Sequence, residues 1–425
     1  MKKIYSAILL LCVLTAVLTS CTENLSREDT IPSSPSGVPA ETSAQIGEDG
    51  TSEETHPAPE TEEETEPEAE TEPEAETIPG EEELLDAAVE KILSGMTAEE
   101  KLGQMFLCAY ENGGAPGRTS QYGFSGYVLF AGDFSEKTPE LISAELTALQ
   151  EKAEFGLIFA VDEEGGSVVR VSKYPAFRSA PFRSPRDVYA SSGIEGLYAD
   201  AYEKGTLLSS LGINMNLAPV ADIAENPGSF IYSRSLGISG DTLGEALLSI
   251  VNGHRDGGIA SCVKHFPGYG SAEDTHLGMA ADHRTAEELE AKDLLPFYTL
   301  CGNGIEAVMV SHIIADGIDS ARPASVSEKT VEYIRTSMGY DGIIMTDDLA
   351  MAGITDFCTD GNAALEAVLA GFDLLCCTNW ESQYPQVLEA VRDGTVREER
   401  LNESAGRILR LKYKLGLWDL SEYIE

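Results

Sequence analysis

Basic residues are scarce in this chain. Its 425 residues hold 29 Lys and Arg against 72 Asp and Glu, a net charge of −43 and a pI near 4.3. Phosphate binding needs a concentrated basic face, and the sequence offers none, so a nucleic-acid partner is excluded. Long apolar runs are missing after residue 21, so nothing beyond that point is expected to span a bilayer as a helix. Cysteine pairs are missing too. Cys108, Cys262, Cys301, Cys358, Cys376 and Cys377 show neither Cys-x-x-Cys nor metal-ligand spacing, and buried free thiols are expected. No Gly-x-Gly-x-x-Gly turn follows the first strand-like segment, which argues against a dinucleotide-binding open sheet.

What is present divides into three stretches. Residues 1–21 start with Lys2 and Lys3, pass through a nearly continuous apolar run from Ile8 to Leu18, and end in Leu18-Thr-Ser-Cys21. This reads as a secretory signal peptide, and its end resembles a bacterial lipobox. Cys21 is then the expected lipidation site, holding an exported protein on the outer side of a membrane. Residues 22–83 carry 21 acidic side chains and only Arg27 as a base, and Thr65-Glu-Pro-Glu-Ala-Glu repeats at Thr71. Such a segment buries too little apolar surface to repay its ordering entropy, so a disordered acidic tether is expected. Residues 84–425 have ordinary globular composition and form the expected catalytic domain.

Within that domain, short apolar runs alternate with helical patterns. Thr97-Ala-Glu-Glu100 is a capping-box pattern opening a helix. Strand-like runs fall at 126–130, 156–161, 214–219, 260–264, 307–310, 342–345 and 373–377, with a weaker eighth. Helix candidates lie between them, at 240–256, 286–301, 327–338 and 362–370. Continuous apolar strands alternating with helices call for a parallel sheet covered on both faces. Eight of them predict an α/β fold, a (β/α)8 TIM-type barrel.

Polar residues collect where these strands end. Asp162-Glu-Glu-Gly-Gly166 follows one, Lys264-His265 another, Ser311-His312 and Thr346-Asp347-Asp348 two more. In a parallel barrel the strand C-termini form one face, and that face carries the chemistry. Charges abutting buried strands are costly unless used. Five of the six histidines (254, 265, 276, 283 and 312) fall within 59 residues. His254 and His283 read as surface helix and loop positions, and Asp348 is expected to point away from Asp347.

Lys264-His-Phe-Pro-Gly-Tyr-Gly270 followed by Asp274-Thr-His276 resembles the signature of glycoside hydrolase family 3, in its branch of bacterial single-domain β-N-acetylhexosaminidases. Met96-Thr-Ala-Glu-Glu-Lys-Leu-Gly-Gln-Met105, Val161-Asp-Glu-Glu-Gly-Gly166 with Arg170, Ser233-Arg-Ser235, Gly342-Ile-Ile-Met-Thr-Asp-Asp-Leu349 and Arg407-Ile-Leu-Arg-Leu-Lys-Tyr-Lys-Leu-Gly416 extend the likeness over nearly all of 90–418. The resemblance implies a retaining double displacement that removes terminal β-linked N-acetylglucosamine, with no cofactor and no metal. Asp347 is the implied nucleophile, and His276, oriented by Asp274, the implied acid/base. Asp162, Arg170, Arg234, Lys264 and His265 are the implied sugar-binding residues. Seven residues follow Trp418, so the acid/base is expected from the barrel itself. The chain departs from the family in two places: Tyr269 stands where His is usual, and three residues separate Gly270 from Asp274 where four are usual.

Other readings stay open at this level. They are substrate-assisted hydrolysis with Asp347 and Asp348 as paired carboxylates, a phosphorylase or β-glucosidase on the same scaffold, and a non-catalytic surface glycan-binding lipoprotein. A metal site from His265, His276 and His312 lacks ligand spacing. Peptidoglycan fragments, chitin oligomers and glycan stubs all carry the implied sugar.

Overall fold

The computed structural model describes residues 80–424, apart from 112, 113, 271 and 273. The expected signal peptide, Cys21 and the acidic stretch up to residue 79 lie outside the described residues. The first helix, Glu81–Gly95, begins three residues before the expected start of the domain at 84.

Eight short parallel strands form the centre: β1 Phe106–Ala109, β2 Gly126–Leu129, β3 Ile158–Val161, β4 Met215–Asn216, β5 Ala260–Phe266, β6 Ala307–Val310, β7 Ile343–Thr346 and β8 Leu375–Cys376. They pair in the order β8-β1-β2-β3-β4-β5-β6-β7. A Met345–Leu374 bridge, with the Thr346 amide 3.1 Å from the Leu374 carbonyl, closes the ring between β7 and β8. Every strand residue is buried, as a sheet covered on its outer face and packed on its inner face requires. The fold is the (β/α)8 barrel.

The weak eighth strand is β1. Only Met105 separates it from the helix Ala98–Gln104, so in sequence its apolar run continues the helix. That helix is capped as expected: Thr97 Oγ1 accepts from the Glu100 amide at 3.2 Å, and Glu100 Oε2 accepts from the Thr97 amide at 2.7 Å. The helix expected over 286–301 is two, Ala286–Glu290 and Leu295–Gly302, because Pro296 starts a new helix and cannot continue an old one. The stretch 327–338 is a short α-helix, Glu328–Glu332, running into a π-turn, Tyr333–Ser337. The long helix Pro185–Ser210, broken at Gly193 where φ is 63°, has no counterpart in the sequence reading.

The floor of the barrel, where strands begin, is sealed by both ends of the described chain. Leu85, Val89 and Ile92 of the first helix pack with Phe155, just ahead of β3, and with Leu409, Trp418 and Leu420. Beside them Lys412, on the helix Glu398–Lys414, is fully buried. Its ammonium donates to Gln104 Oε1 at 2.7 Å and to the Gly156 carbonyl at 2.9 Å. Neither partner is charged, and burial pushes the Lys412 pKa down to about 7. Among the described residues no helix is long and apolar enough to cross a membrane.

Candidate active site

At the end of β3 the chain lays down three carboxylates with three separate tasks. Asp162, partly exposed, lies 2.6 Å from Lys264 Nζ and 3.9 Å from Arg170 Nη2. Glu163 is buried and structural. Its oxygens accept from the amides of Arg170 (2.7 Å), Val171 (2.7 Å) and Ser172 (3.3 Å) and from the Ser172 hydroxyl. These bonds fold the loop back so that Arg170 returns to Asp162. Glu164 is buried between two cations, with Arg234 at 2.7 and 2.9 Å and Lys264 at 2.7 Å. Burial would raise its pKa, but Lys264 and Arg234 outweigh burial and hold the carboxyl far below its usual range. The turn that follows needs glycine: Gly165 has φ 103°, and a Cβ there would fall 2.2 Å from the Arg183 carbonyl oxygen.

The end of β5 supplies the next layer. Its register shifts between Val263 and Phe266, and the Lys264–His265 peptide is cis. Both side chains are buried. Burial lowers the Lys264 pKa, Asp162 and Glu164 raise it by more, and the group stays charged. His265 Nδ1 lies 2.7 Å from Asp222 Oδ2, which also takes the His265 amide at 3.1 Å. A carboxylate only accepts, so Nδ1 carries the proton. Arg234 Nη2, a donor only, lies 3.2 Å from Nε2, which therefore accepts from it. Asp162, Glu164, Arg234, Lys264, His265 and Asp222 form one continuous network.

Asp347 stands at the end of β7, its amide bonded to the Val310 carbonyl at 2.9 Å and its Oδ1 accepting from the Asp348 amide at 2.8 Å. Burial favours the neutral acid, yet His312, His265, the Asp348 amide and Lys264 together bring its pKa below the usual carboxylate value. Asp348 turns away and bonds Thr378 through its amide at 3.0 Å and its hydroxyl at 2.7 Å. His312 is buried. Its Nε2 donates to the Asp348 carbonyl at 2.9 Å, and its Nδ1 faces Ser325 Oγ at 2.7 Å. Burial lowers its pKa, Asp347 and the Asp348 carbonyl act the other way, and the ring props the Asp347–Asp348 turn.

Asp274 and His276 occupy the loop after β5, at the rim. Asp274 Oδ1 takes both His276 Nδ1 (2.6 Å) and the His276 amide (3.0 Å), which leaves Nε2 as the free end of the ring. The imidazole is 58% exposed, whereas Lys264 and His265 are buried. A cleft of about 810 Å³ flanks the loop, lined by Ile223, Asn226, Phe230, Asp274, Leu277 and Met279 among others. The structure thus gathers Asp162, Arg170, Arg234, Lys264 and His265 into one layer, of which Lys264 and His265 act on Asp347, and carries the Asp274–His276 pair on the loop that follows β5.

His254 is not at the surface as expected. It is buried between Ser261 Oγ (2.9 Å from Nδ1) and Asn216 (3.2 Å from Nε2), and burial pushes its pKa down to about 3. His283 is exposed beside Asp316. Glu164 and Asp222 were not singled out in sequence. Glu164 sits inside the same motif as Asp162. Asp222 follows β4 closely and obeys the same strand-end rule, but no recognisable motif surrounds it. Among the described residues no group of His, Cys, Asp and Glu converges to hold a metal ion. The six described cysteines are buried and unpaired.

A closed parallel barrel whose strand ends carry paired acidic and basic side chains beside Asp347 has the layout of a barrel enzyme. The family described as glycosyl hydrolase family 3 N terminal domain matches residues 97–411. The chain belongs to that family. It is 33% identical over 303 residues to a β-hexosaminidase of Neisseria gonorrhoeae, covering 68% of this chain and 80% of that one. It is 29% identical over 332 residues to β-hexosaminidase A of Pseudoalteromonas piscicida, covering 70% of this chain and 54% of that protein. A family 3 β-N-acetylglucosaminidase structure from Paenibacillus sp. superposes with a TM-score of 0.71 at 31% identity, covering 76% of this chain and 63% of that one. The chain thus spans little more than half to two thirds of two of these relatives.

Proposed function

We propose that this chain is a retaining exo-β-N-acetylhexosaminidase that releases terminal β-linked N-acetylglucosamine. The reading is carried by Asp347, a carboxylate held ionised at a strand end within electrostatic reach of Lys264 and His265. The similar proteins named β-hexosaminidase and β-N-acetylglucosaminidase support the substrate class. In the proposed reaction Asp347 attacks the anomeric carbon while His276 gives a proton to the departing oxygen. The same histidine then takes a proton from the water that hydrolyses the glycosyl-aspartate. Asp274, bonded to Nδ1, leaves Nε2 as the end that exchanges protons. Asp162 accepts from sugar hydroxyls, and Arg170, Arg234 and Lys264 donate to others or order those that do.

The test uses aryl β-N-acetylglucosaminide and chitobiose, with and without phosphate. Asp347→Ala is expected to abolish turnover of both. His276→Ala is expected to accumulate sugar on Asp347 from the aryl substrate, to lose roughly 10²–10⁴-fold on the disaccharide, and to be rescued on the aryl substrate by azide. No adduct, no azide rescue and equal losses on both substrates refute the assignment of His276. Release of a sugar 1-phosphate in place of free sugar makes the protein a phosphorylase instead.

The same proposal places the enzyme outside the cell, lipidated on Cys21. Cys21→Ala should shift the protein from the membrane fraction to the soluble fraction or leave it unprocessed. Unchanged lipidation and fractionation contradict it.

A further inference from the structure

Resting on the reading of His276 as acid/base, a second question is what fixes the loop that carries it. Between half-buried Asp274 and exposed His276 stands Thr275, which is fully buried. Its side chain and backbone are each held from a different side. Thr275 Oγ1 lies 2.7 Å from the hydroxyl of Tyr269, also buried. Its carbonyl accepts from the Gly353 amide at 2.8 Å.

These two anchors lead to the two halves of the site. Tyr269 is fastened to the sugar-binding layer. Its amide donates to Asp222 Oδ1 at 2.8 Å, the carboxylate whose other oxygen orients His265, and its ring packs edge-on against His265 with centroids 5.1 Å apart. Phe230 closes the far side of that ring at 4.9 Å. Gly353 belongs to the loop that leaves Asp347, opening the short helix Ala352–Thr355. It approaches so closely that a Cβ there would lie 2.8 Å from Thr275 Cβ and 2.9 Å from its carbonyl oxygen. Only a residue without a side chain fits against Thr275.

We propose that Tyr269, Thr275 and Gly353 are a pin that positions the Asp274–His276 pair over Asp347. Tyr269 and Thr275 are positioning residues, acting through His276 and not on the sugar. A buried hydroxyl pair with no other partner on the Tyr269 side among the described residues is well suited to this, since breaking it strands a polar group in the interior. The pin also gives a role to the tyrosine that replaces the family's usual histidine: its longer side chain spans from the β5 end to the middle of the loop.

The experiment uses the full chain and four variants: Tyr269→Phe and Thr275→Val, each removing one hydroxyl at nearly constant shape, Thr275→Ser, which keeps it, and Gly353→Ala. Burst and steady-state rates on nitrophenyl β-N-acetylglucosaminide are compared with kcat/KM on chitobiose. Tyr269→Phe, Thr275→Val and Gly353→Ala should lose roughly tenfold on chitobiose, a fraction of full general-acid help. Their aryl burst rate should stay within about twofold, because nitrophenolate leaves without a proton, and azide should restore their aryl turnover. Thr275→Ser should retain activity on both. Tyr269→Phe and Thr275→Val combined should lose no more than either alone, since both cut one bond. Activity unchanged on both substrates in the folded Phe and Val variants overturns the proposal. So does an equal loss on both, which would place the hydroxyls in service of the pocket as a whole. His276→Ala run alongside separates the two failures. If it shows the leaving-group split and Tyr269→Phe does not, only the pin falls; if it shows no split, the acid/base reading falls and takes the pin with it.

Discussion

Replacing Lys412 by Met tests whether an ammonium can sit at the barrel floor without a counter-ion. The side chain is fully buried, and among the described residues its donors meet only Gln104 Oε1 and the Gly156 carbonyl. A fall in pKa from 10.5 to about 7 corresponds to roughly 5 kcal/mol of cost for carrying the charge into the interior. The Met variant escapes that cost but strands two acceptors, at about 1–3 kcal/mol each. The net change at pH 6 therefore lies within a few kcal/mol of zero and decides nothing. The pH dependence does decide. Between pH 7 and 10.5 the native state has released the Lys412 proton while the unfolded chain still holds it, so stability rises with pH by about 1.4 kcal/mol per pH unit. Below pH 7 both states hold the proton and the slope vanishes. The six buried thiols have raised pKa values and act in the opposite sense above about pH 8.5, so the window is pH 6 to 8.5. Urea denaturation of wild type and Lys412→Met across it should show wild type gaining about 2 kcal/mol on the variant. Parallel curves would refute the argument, because they would mean that Lys412 does not titrate there.

Two further expectations concern the charged layer at the ends of β3 and β5. Glu164→Gln leaves Arg234 and Lys264 without the carboxylate buried between them; denaturant unfolding should show a loss of roughly 3–5 kcal/mol, and wild-type stability would mean that the pair is not held as described. In pH terms the stabilisation from Glu164 is complete above its unfolded value near 4.3 and is lost only as pH falls through its depressed native value, so the variant should differ least from wild type in strong acid. Asp222→Asn removes the carboxylate that keeps the proton on His265 Nδ1; kcat/KM should fall roughly 10- to 100-fold, the scale of one lost hydrogen bond to a charged group, and an unchanged value would exclude His265 from the sugar-binding layer.

How legible the molecule was in sequence depended on whether a signal was local. Seven strands showed as buried apolar runs because a parallel barrel covers both faces of each strand. β1 did not, because its four residues abut a capped helix and share its composition. The break at Pro296 was written in the chain, and reading one helix through it ignored the missing amide. Asp162, Lys264 and Asp347 stood out because charge beside a buried strand is costly. Glu164 and Asp222 have the same cost, but Glu164 is masked by the two acids before it and Asp222 lies six residues beyond β4, and only the fold brings Arg234 and His265 to them. His254 was misplaced for a related reason. A polar residue on an amphipathic helix reads as outward until Ser261 and Asn216 are seen to satisfy both its nitrogens.

The two-helix seal beneath the strands has a mechanical consequence. The described chain enters at Gly80, and the first helix grips the end helix there, with Tyr413 bonding Glu81 at 2.9 Å and Arg410 bonding Asp86 at 2.7 Å. A force applied upstream of Gly80 is thus delivered to the side of the barrel where strands start, and the first bonds it loads are those two, both on the surface. The charged layer of Asp162, Arg234 and Lys264 sits at the other end of eight hydrogen-bonded strands. A pull strong enough to peel the first helix away would open the floor around Leu85 and Phe155 before it disturbed Asp347.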